Sequence, residues 1–107
     1  DQAMLTFAET LLQRAASVPL VISIGDYNLR SDETAYQMIE AVFKNAWLER
    51  YPTGISEDGI DMSGTKRIDH IFISSQLSVS DAVYVLAPDS HTDHPVHWAV
   101  ITWVPSP

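Results

Sequence analysis

The sequence predicts an α/β fold built in layers, and three stretches in its N-terminal half support that prediction. Residues 4–16 place apolar side chains at helical spacing, with polar side chains between them. Residues 18–24 form an apolar, largely β-branched run, as in a strand that is buried on both faces. A second helical pattern covers residues 31–46. Helix, strand, loop and helix in this order are typical of a layered α/β fold.

These elements carry local signals at their ends. The first helix must stop before Pro19, because the residue that precedes a proline avoids the helical conformation. The strand ends at Gly25, a common turn residue. Ser31 or Asp32 can cap the second helix, and its acidic first turn suits the positive end of the helix dipole. The apolar stripe of this helix continues to about Ala46.

The second half of the chain predicts three more strands. Residues 47–63 are turn-rich and acidic, but the carboxylates lack the spacing of a calcium-binding EF-hand loop, so a solvated loop is expected. Residues 67–74 read as a buried strand, and residues 82–87 and 96–104 as two further strands. A polar loop joins the last two.

Length and composition indicate one globular domain without a membrane span. The chain has 107 residues, of which 46% are hydrophobic and 19% charged. No apolar run approaches the ~20 residues that a membrane helix needs. The chain has no basic signal-peptide start, and it opens with Asp1 rather than with methionine, which suggests a cut or processed N-terminus.

The charge balance and the lack of cysteine exclude several kinds of site. With 14 acidic against 6 basic residues, the net charge is −8, which argues against a surface that grips nucleic acid unaided. This balance agrees better with a small phosphorylated substrate, a metal-bridged substrate or a basic partner. The absence of cysteine excludes disulfides and thiolate metal sites.

The candidate functional side chains lie at the ends of predicted strands. Asp26 and Asn28 directly follow the first strand, and Asp69 lies in an apolar strand where a charge is costly without a partner. Asp93 is a hard oxygen ligand suited to Mg²⁺ or Mn²⁺, and His94 can transfer protons or stabilise charge near neutral pH. Asp69 is the natural group to orient His94. Taken singly, Asp26, Asn28, Asp93 and His94 also fit an ordinary turn or loop.

Three short segments occur in a recognisable order. They are Gly-Asp-Tyr-Asn at 25–28, Arg-Ile-Asp-His-Ile at 67–71 and Thr-Asp-His-Pro at 92–95. Together they resemble the signatures of the endonuclease/exonuclease/phosphatase superfamily, the DNase I-like phosphoesterases, over nearly the whole chain. The resemblance implies a four-layer α-β-β-α sandwich. Residues 1–107 would form its C-terminal half, probably one sheet with its helices.

The resemblance also implies a role for each candidate residue. Asp26 would orient or deprotonate the attacking water, and Asn28 would hold a phosphate oxygen and help place that aspartate. Asp93 would ligate Mg²⁺ or Mn²⁺. His94, held by Asp69, would bind the scissile phosphate and stabilise its transition-state charge. The reaction would be in-line hydrolysis of a phosphoester, driven by positioning and electrostatics.

Part of such an enzyme is missing from this chain. The family's N-terminal half supplies an asparagine, the main metal-ligating glutamate and commonly a further histidine. Nothing before Asp26 matches them, because Glu9 lies within the predicted helix. We therefore expect an incomplete enzyme, supplemented by a missing N-terminal half or a partner chain, with a large apolar face uncovered. Nuclease, phospholipid or inositol phosphatase and nucleotide phosphatase activities all stay open.

Two alternatives compete with this interpretation. His91, Asp93, His94 and His97 could form a zinc site, but Pro95 breaks any helix that would align them and a strand would place His94 and His97 on opposite faces. The chain could also be a non-enzymatic interaction module derived from the phosphoesterase fold.

Overall fold

The structure is a computed structural model that describes residues 2–18, 20–85 and 96–103. Within these ranges the chain has a mixed α+β fold with two antiparallel sheets. The helices are α1 (Gln2–Ser17), α2 (Thr34–Glu40) and α3 (Ala46–Arg50), and the strands are β1 (Ile22–Asp26), β2 (Phe43–Asn45), β3 (Asp69–Ser74), β4 (Leu77–Val85) and β5 (Val96–Trp103). None of the described helices has the length and apolar character needed to cross a membrane.

Strand β3 is the centre of the fold. It lies between β1 and β2 in the first sheet and runs antiparallel to both. Ile71, Phe72 and Ile73 are at most 2% exposed, which confirms the buried strand predicted from the sequence. Burial of such a side chain contributes about 1.5–3 kcal/mol, so this strand anchors both of its neighbours.

The two faces of β3 contact different layers. Phe72 lies in one core cluster with side chains of α1 and α2, including Ala8 and Tyr36. Ile71 and Ile73 lie in a second cluster, where β4 and β5 contribute Leu77, Val79, Ala99 and Ile101. A helical layer therefore covers one face of β3, and the second sheet covers the other.

Strand β1 departs from the sequence prediction. Its side chains were expected to be buried on both faces, yet Ile22 is 54% and Ile24 is 64% exposed. The prediction is wrong because β1 is an edge strand, bonded only to β3, and the second sheet does not extend over it. Ile22 and Ile24 lie opposite Ile73 and Ile71, so they share a face with two buried residues and are uncovered themselves.

The second predicted helix is also shorter than expected. Helix α2 ends at Glu40, and the rest of the predicted helix forms a turn and then β2. Phe43 is buried in the core as its spacing suggested, but its backbone pairs with Ser74 of β3. The apolar spacing correctly predicted that the Phe43 side chain is buried, but it could not show that the backbone there is a strand rather than a helix. Helix α3 begins at Ala46 and runs into the segment expected to be an irregular loop. At its start, Asn45 Oδ1 accepts a hydrogen bond from Trp47 N (3.1 Å).

The described strands form two sheets rather than the single sheet expected. Strands β4 and β5 pair only with each other, and β4 begins at Leu77 rather than at Ala82. The pairing register shifts between Val79 and Asp81. This bulge moves the inward-facing side chains from odd to even positions, so the strand lacks a single period-two pattern.

Candidate functional site

Asp26 and Asp69 lie directly opposite each other across the first sheet. Asp26 is the last residue of β1 and Asp69 the first of β3, and the two are register partners. The antiparallel pairing therefore brings both carboxylates to one edge of the sheet. Both also line a cleft of about 200 Å³. The other residues that line this cleft are Ile24, Gly25, His70 and His97.

The loop after β1 holds the Asp26 carboxylate through a local hydrogen bond. Asp26 Oδ1 accepts from the backbone N–H of Asn28 at 2.8 Å, which is the geometry of an Asx turn. Asn28 has a φ of +45°, a left-handed conformation that asparagine tolerates better than most residues. Its side chain is exposed, whereas its neighbours Tyr27 and Leu29 are buried. The loop is thus anchored on both sides of Asn28.

A buried histidine ties this loop to the core. His70 Nε2 donates to the Leu29 carbonyl oxygen at 2.6 Å, and His70 Nδ1 accepts from Asn45 Nδ2 at 3.2 Å. A carbonyl oxygen can only accept, so the proton of this ring lies on Nε2. Burial lowers the pKa of His70 to about 4, although the hydrogen bond to Leu29 acts in the opposite direction. The neutral ring therefore fixes the segment that carries Asp26 and Asn28.

His97 was weighed from the sequence only as a zinc ligand, yet the structure places it in the cleft with Asp26 and Asp69. Its Nδ1 is 2.9 Å from the carbonyl oxygen of Val83, and its ring stacks on Tyr84 at 3.8 Å with an interplanar angle of 6°. Tyr84 in turn donates its hydroxyl hydrogen to the backbone oxygen of Asp69 at 2.6 Å.

The other ring nitrogen of His97 is unusual. Within the described part of the chain, Nε2 is buried and has no hydrogen-bond partner. Burial lowers the pKa of His97, which keeps the imidazole uncharged. Side chains along β5 alternate between the two faces of the strand, and this alternation puts His97 on the same face as Ala99 and Ile101, which pack on the core. The same alternation in the sequence could have indicated that His97 faces inward.

Arg67 supports the site from the protein interior. It is 2% exposed, and its Nη1 donates to the carbonyl oxygen of Met62, which ties the preceding loop to the start of β3. Its positive charge also helps to lower the pKa values of His70 and His97.

Asp93 and His94, together with His91 of the zinc alternative, lie outside the described residues. Their predicted roles therefore stay predictions. Among residues 2–18, 20–85 and 96–103, no three His, Asp or Glu side chains lie close enough together to hold a metal ion.

Large apolar side chains are exposed on both sheets and form two separate sets. On β1, Ile22 and Ile24 lead away from Asp26 with more than half of their surface exposed. On β5, Val96, Trp98 and Val100 are 58%, 46% and 49% exposed. Large apolar side chains exposed in rows mark surfaces that bind another layer or another chain.

We compared the chain with known proteins. No protein-family model matches it, and neither a curated protein nor a solved structure is significantly similar to it. The assignment of a function therefore depends on the site itself.

Proposed function

We propose that this chain is the C-terminal half of a divalent-metal-dependent phosphoester hydrolase of the endonuclease/exonuclease/phosphatase type. The observation that carries the proposal is the register of β1 and β3, in which Asp26 faces Asp69. These residues belong to two of the three sequence segments that resemble this superfamily. Segments far apart in the sequence thus contribute carboxylates to one edge of one sheet, where they line a common cleft.

The contacts of Asp26 suit its proposed role as the group that orients and deprotonates the attacking water. One carboxylate oxygen is held by the Asn28 N–H. The exposed amide side chain of Asn28 is then available for a phosphate oxygen. The proposal assigns Asp69 to the orientation of His94, which would stabilise the charge that develops on the phosphate. Donors and charges fixed in advance lower the barrier because they need no reorganisation during the reaction.

The metal would bind at the same edge. Carboxylate oxygens are the ligands that Mg²⁺ and Mn²⁺ prefer. Asp93 is the proposed direct ligand, with the remaining ligands supplied by the missing half. When bound, the ion would neutralise negative charge on the phosphoester. The residues of this chain would align the water and the phosphate.

The uncovered surface supports the incompleteness of the enzyme. Ile24 of β1 is 64% exposed and Trp98 of β5 is 46% exposed, so both sheets offer apolar side chains that a further layer could cover. Burial of each such side chain would contribute about 1.5–3 kcal/mol toward holding a second half in place. The substrate is a phosphoester whose alcohol group would be selected by loops of that second half.

The test is Mg²⁺-dependent hydrolysis of bis(p-nitrophenyl) phosphate by the 107-residue chain and by the longer protein or complex that supplies the missing half. We expect weak or no turnover by the chain alone and clear turnover by the completed enzyme. In the completed enzyme, Asp26→Asn should lower kcat by about 10²–10⁴-fold. Asp81→Asn is the matched control, because Asp81 is exposed on β4 and an asparagine keeps the oxygen that accepts from Ala82 N.

Two results would contradict the proposal. Robust Mg²⁺-dependent turnover by the monomeric chain alone would show that no half is missing. A completed protein that hydrolyses no phosphoester, or in which Asp26→Asn has no effect, would refute the phosphoesterase assignment.

The uncovered surface also favours a second candidate, a non-enzymatic interaction module. Such a module would bind its partner through the exposed side chains around Ile24 or around Trp98, which are 64% and 46% exposed, and would have no need of Asp26. The two candidates differ in the effect of Asp26→Asn, which would leave a pure binding module unchanged.

A further inference from the structure

We infer that His97 is a further residue of this cleft, which accepts a hydrogen bond through Nε2 from the attacking water. The inference rests on the proposed phosphoesterase function, since Asp26 is the base for the same water. It adds to the three motif segments a residue that lies outside all of them.

The hydrogen bond of His97 to the backbone fixes its tautomer. The Val83 carbonyl oxygen, 2.9 Å from Nδ1, can only accept, so Nδ1 carries the ring proton. In the neutral imidazole, Nε2 then bears a lone pair and acts as an acceptor. Stacking on Tyr84 at 3.8 Å holds the ring in this orientation. The lone pair is therefore presented in one fixed direction.

Nε2 of His97 needs a hydrogen-bond donor, and the described residues do not supply one. It is buried and has no donor within that part of the chain. A buried polar atom without a partner costs about 1–3 kcal/mol, which a water or ligand donor in the cleft would relieve. The cleft of about 200 Å³ has room for water. Buried waters bind where several polar groups surround them.

The chemistry of the cleft favours water over a phosphate oxygen at this position. The carboxylate oxygens of Asp26 and Asp69 accept hydrogen bonds, and neutral His97 Nε2 also accepts. An acceptor needs a hydrogen-bond donor, which a water supplies and an ionised phosphate oxygen does not. A water can donate one hydrogen to Asp26 and the other to His97.

In the reaction, the water oxygen would form the new bond to phosphorus as the bond to the leaving oxygen breaks. One water proton would pass to the Asp26 carboxylate, and the bonding electron pair would go to the leaving oxygen. His97 would keep its charge throughout and hold the second hydrogen. Its contribution is alignment, which can change a rate by about 10²-fold for a displacement of 1 Å.

Three substitutions separate this role from a packing role. His97→Asn keeps an amide N–H for the Val83 carbonyl but has no atom at the position of Nε2. His97→Gln can place an amide oxygen near that position. His97→Phe keeps an aromatic ring to stack on Tyr84 and removes both nitrogens.

In the completed enzyme we expect His97→Asn and His97→Phe to lower kcat by about 10- to 100-fold, with the half-saturating concentration of Mg²⁺ unchanged. His97→Gln should recover most of the rate. A high-resolution crystal structure of the wild-type chain should show a water within hydrogen-bond distance of Nε2 and of the Asp26 carboxylate. Wild-type kcat in His97→Asn, or Nε2 surrounded only by carbon atoms in the crystal, would overturn the inference.

The kinetic assay and the crystal structure test different claims, so one can be contradicted without the other. If the completed enzyme hydrolyses no phosphoester, the proposed function is wrong. In that case the crystal structure alone decides whether His97 Nε2 accepts from a water in the cleft.

Discussion

Replacement of His70 by glutamine should remove a defined part of the pH dependence of folding. His70 is 1% exposed, and burial lowers its pKa to about 4. In the unfolded chain its pKa returns to about 6.5. Between these two values the unfolded state binds the proton more tightly than the folded state. The stability linked to His70 is therefore full above the unfolded pKa and is lost as the pH falls toward the folded one.

The magnitude follows from the separation of the two pKa values. Each unit corresponds to about 1.36 kcal/mol, and the folded ring is half protonated at its own pKa. From pH 7.5 to pH 4, protonation of His70 should thus lower the free energy of unfolding by about 3 kcal/mol. Glutamine does not titrate, and its amide can donate to Leu29 O and accept from Asn45 Nδ2 as His70 does.

The assay is urea unfolding of the wild-type chain and of His70→Gln at one protein concentration, at intervals from pH 8 to pH 4. As the pH falls, the free energy of unfolding of the wild-type chain should drop by about 3 kcal/mol more than that of His70→Gln. The carboxylates and His97 contribute equally to the pH dependence of both proteins, so their contributions cancel in the comparison. His97 matters here because burial lowers its pKa as well. Two curves that stay parallel over this range would refute the assignment of a buried neutral ring.

Three further predictions concern the loop, the uncovered surface and the core. Asn28→Gly should change the free energy of unfolding by less than about 1 kcal/mol, because glycine accepts a φ of +45°, while kcat of the completed enzyme falls. Equal kcat values would remove Asn28 from the site. Ile24→Lys and Trp98→Lys should reduce self-association of the chain in sedimentation velocity, whereas Val42→Lys, on the turn after α2, should not. An equal effect of all three would show that charge alone is responsible. Phe72→Ala should lower the free energy of unfolding by about 3–5 kcal/mol in urea titrations, because the residue is fully buried. A loss below 1 kcal/mol would place Phe72 outside the core.

The sequence predicted two kinds of element well: a helix that is defined by its local apolar spacing, and a strand that is buried on both faces. Helix α1 was expected over residues 4–16 and spans Gln2–Ser17. The continuous apolar run in β3 identified a strand covered on both faces. Strand β1 has a similar composition but one uncovered face. Composition could not reveal this, because the side chains of β1 are the same whether or not another layer covers them.

Two residues that line the candidate cleft, Asp26 and Asp69, could be singled out from the sequence, but their contacts could not. The polar residues after β1 and at the start of β3 marked Asp26 and Asp69. Their pairing depends on strand register, which is a property of the folded sheet. His97 escaped notice because its importance comes from Val83 and Tyr84, on a strand whose bulge hides the period-two pattern.

The central claim is that the third segment joins the first two at the edge where Asp26 faces Asp69. A crystal structure that places residues 86–95 tests it most directly. The phosphoesterase proposal predicts that the His94 imidazole lies about 2.6–3.2 Å from the Asp69 carboxylate, with Asp93 and Asp26 on the same cleft. His94 on the opposite side of the molecule from Asp26 would contradict the proposal.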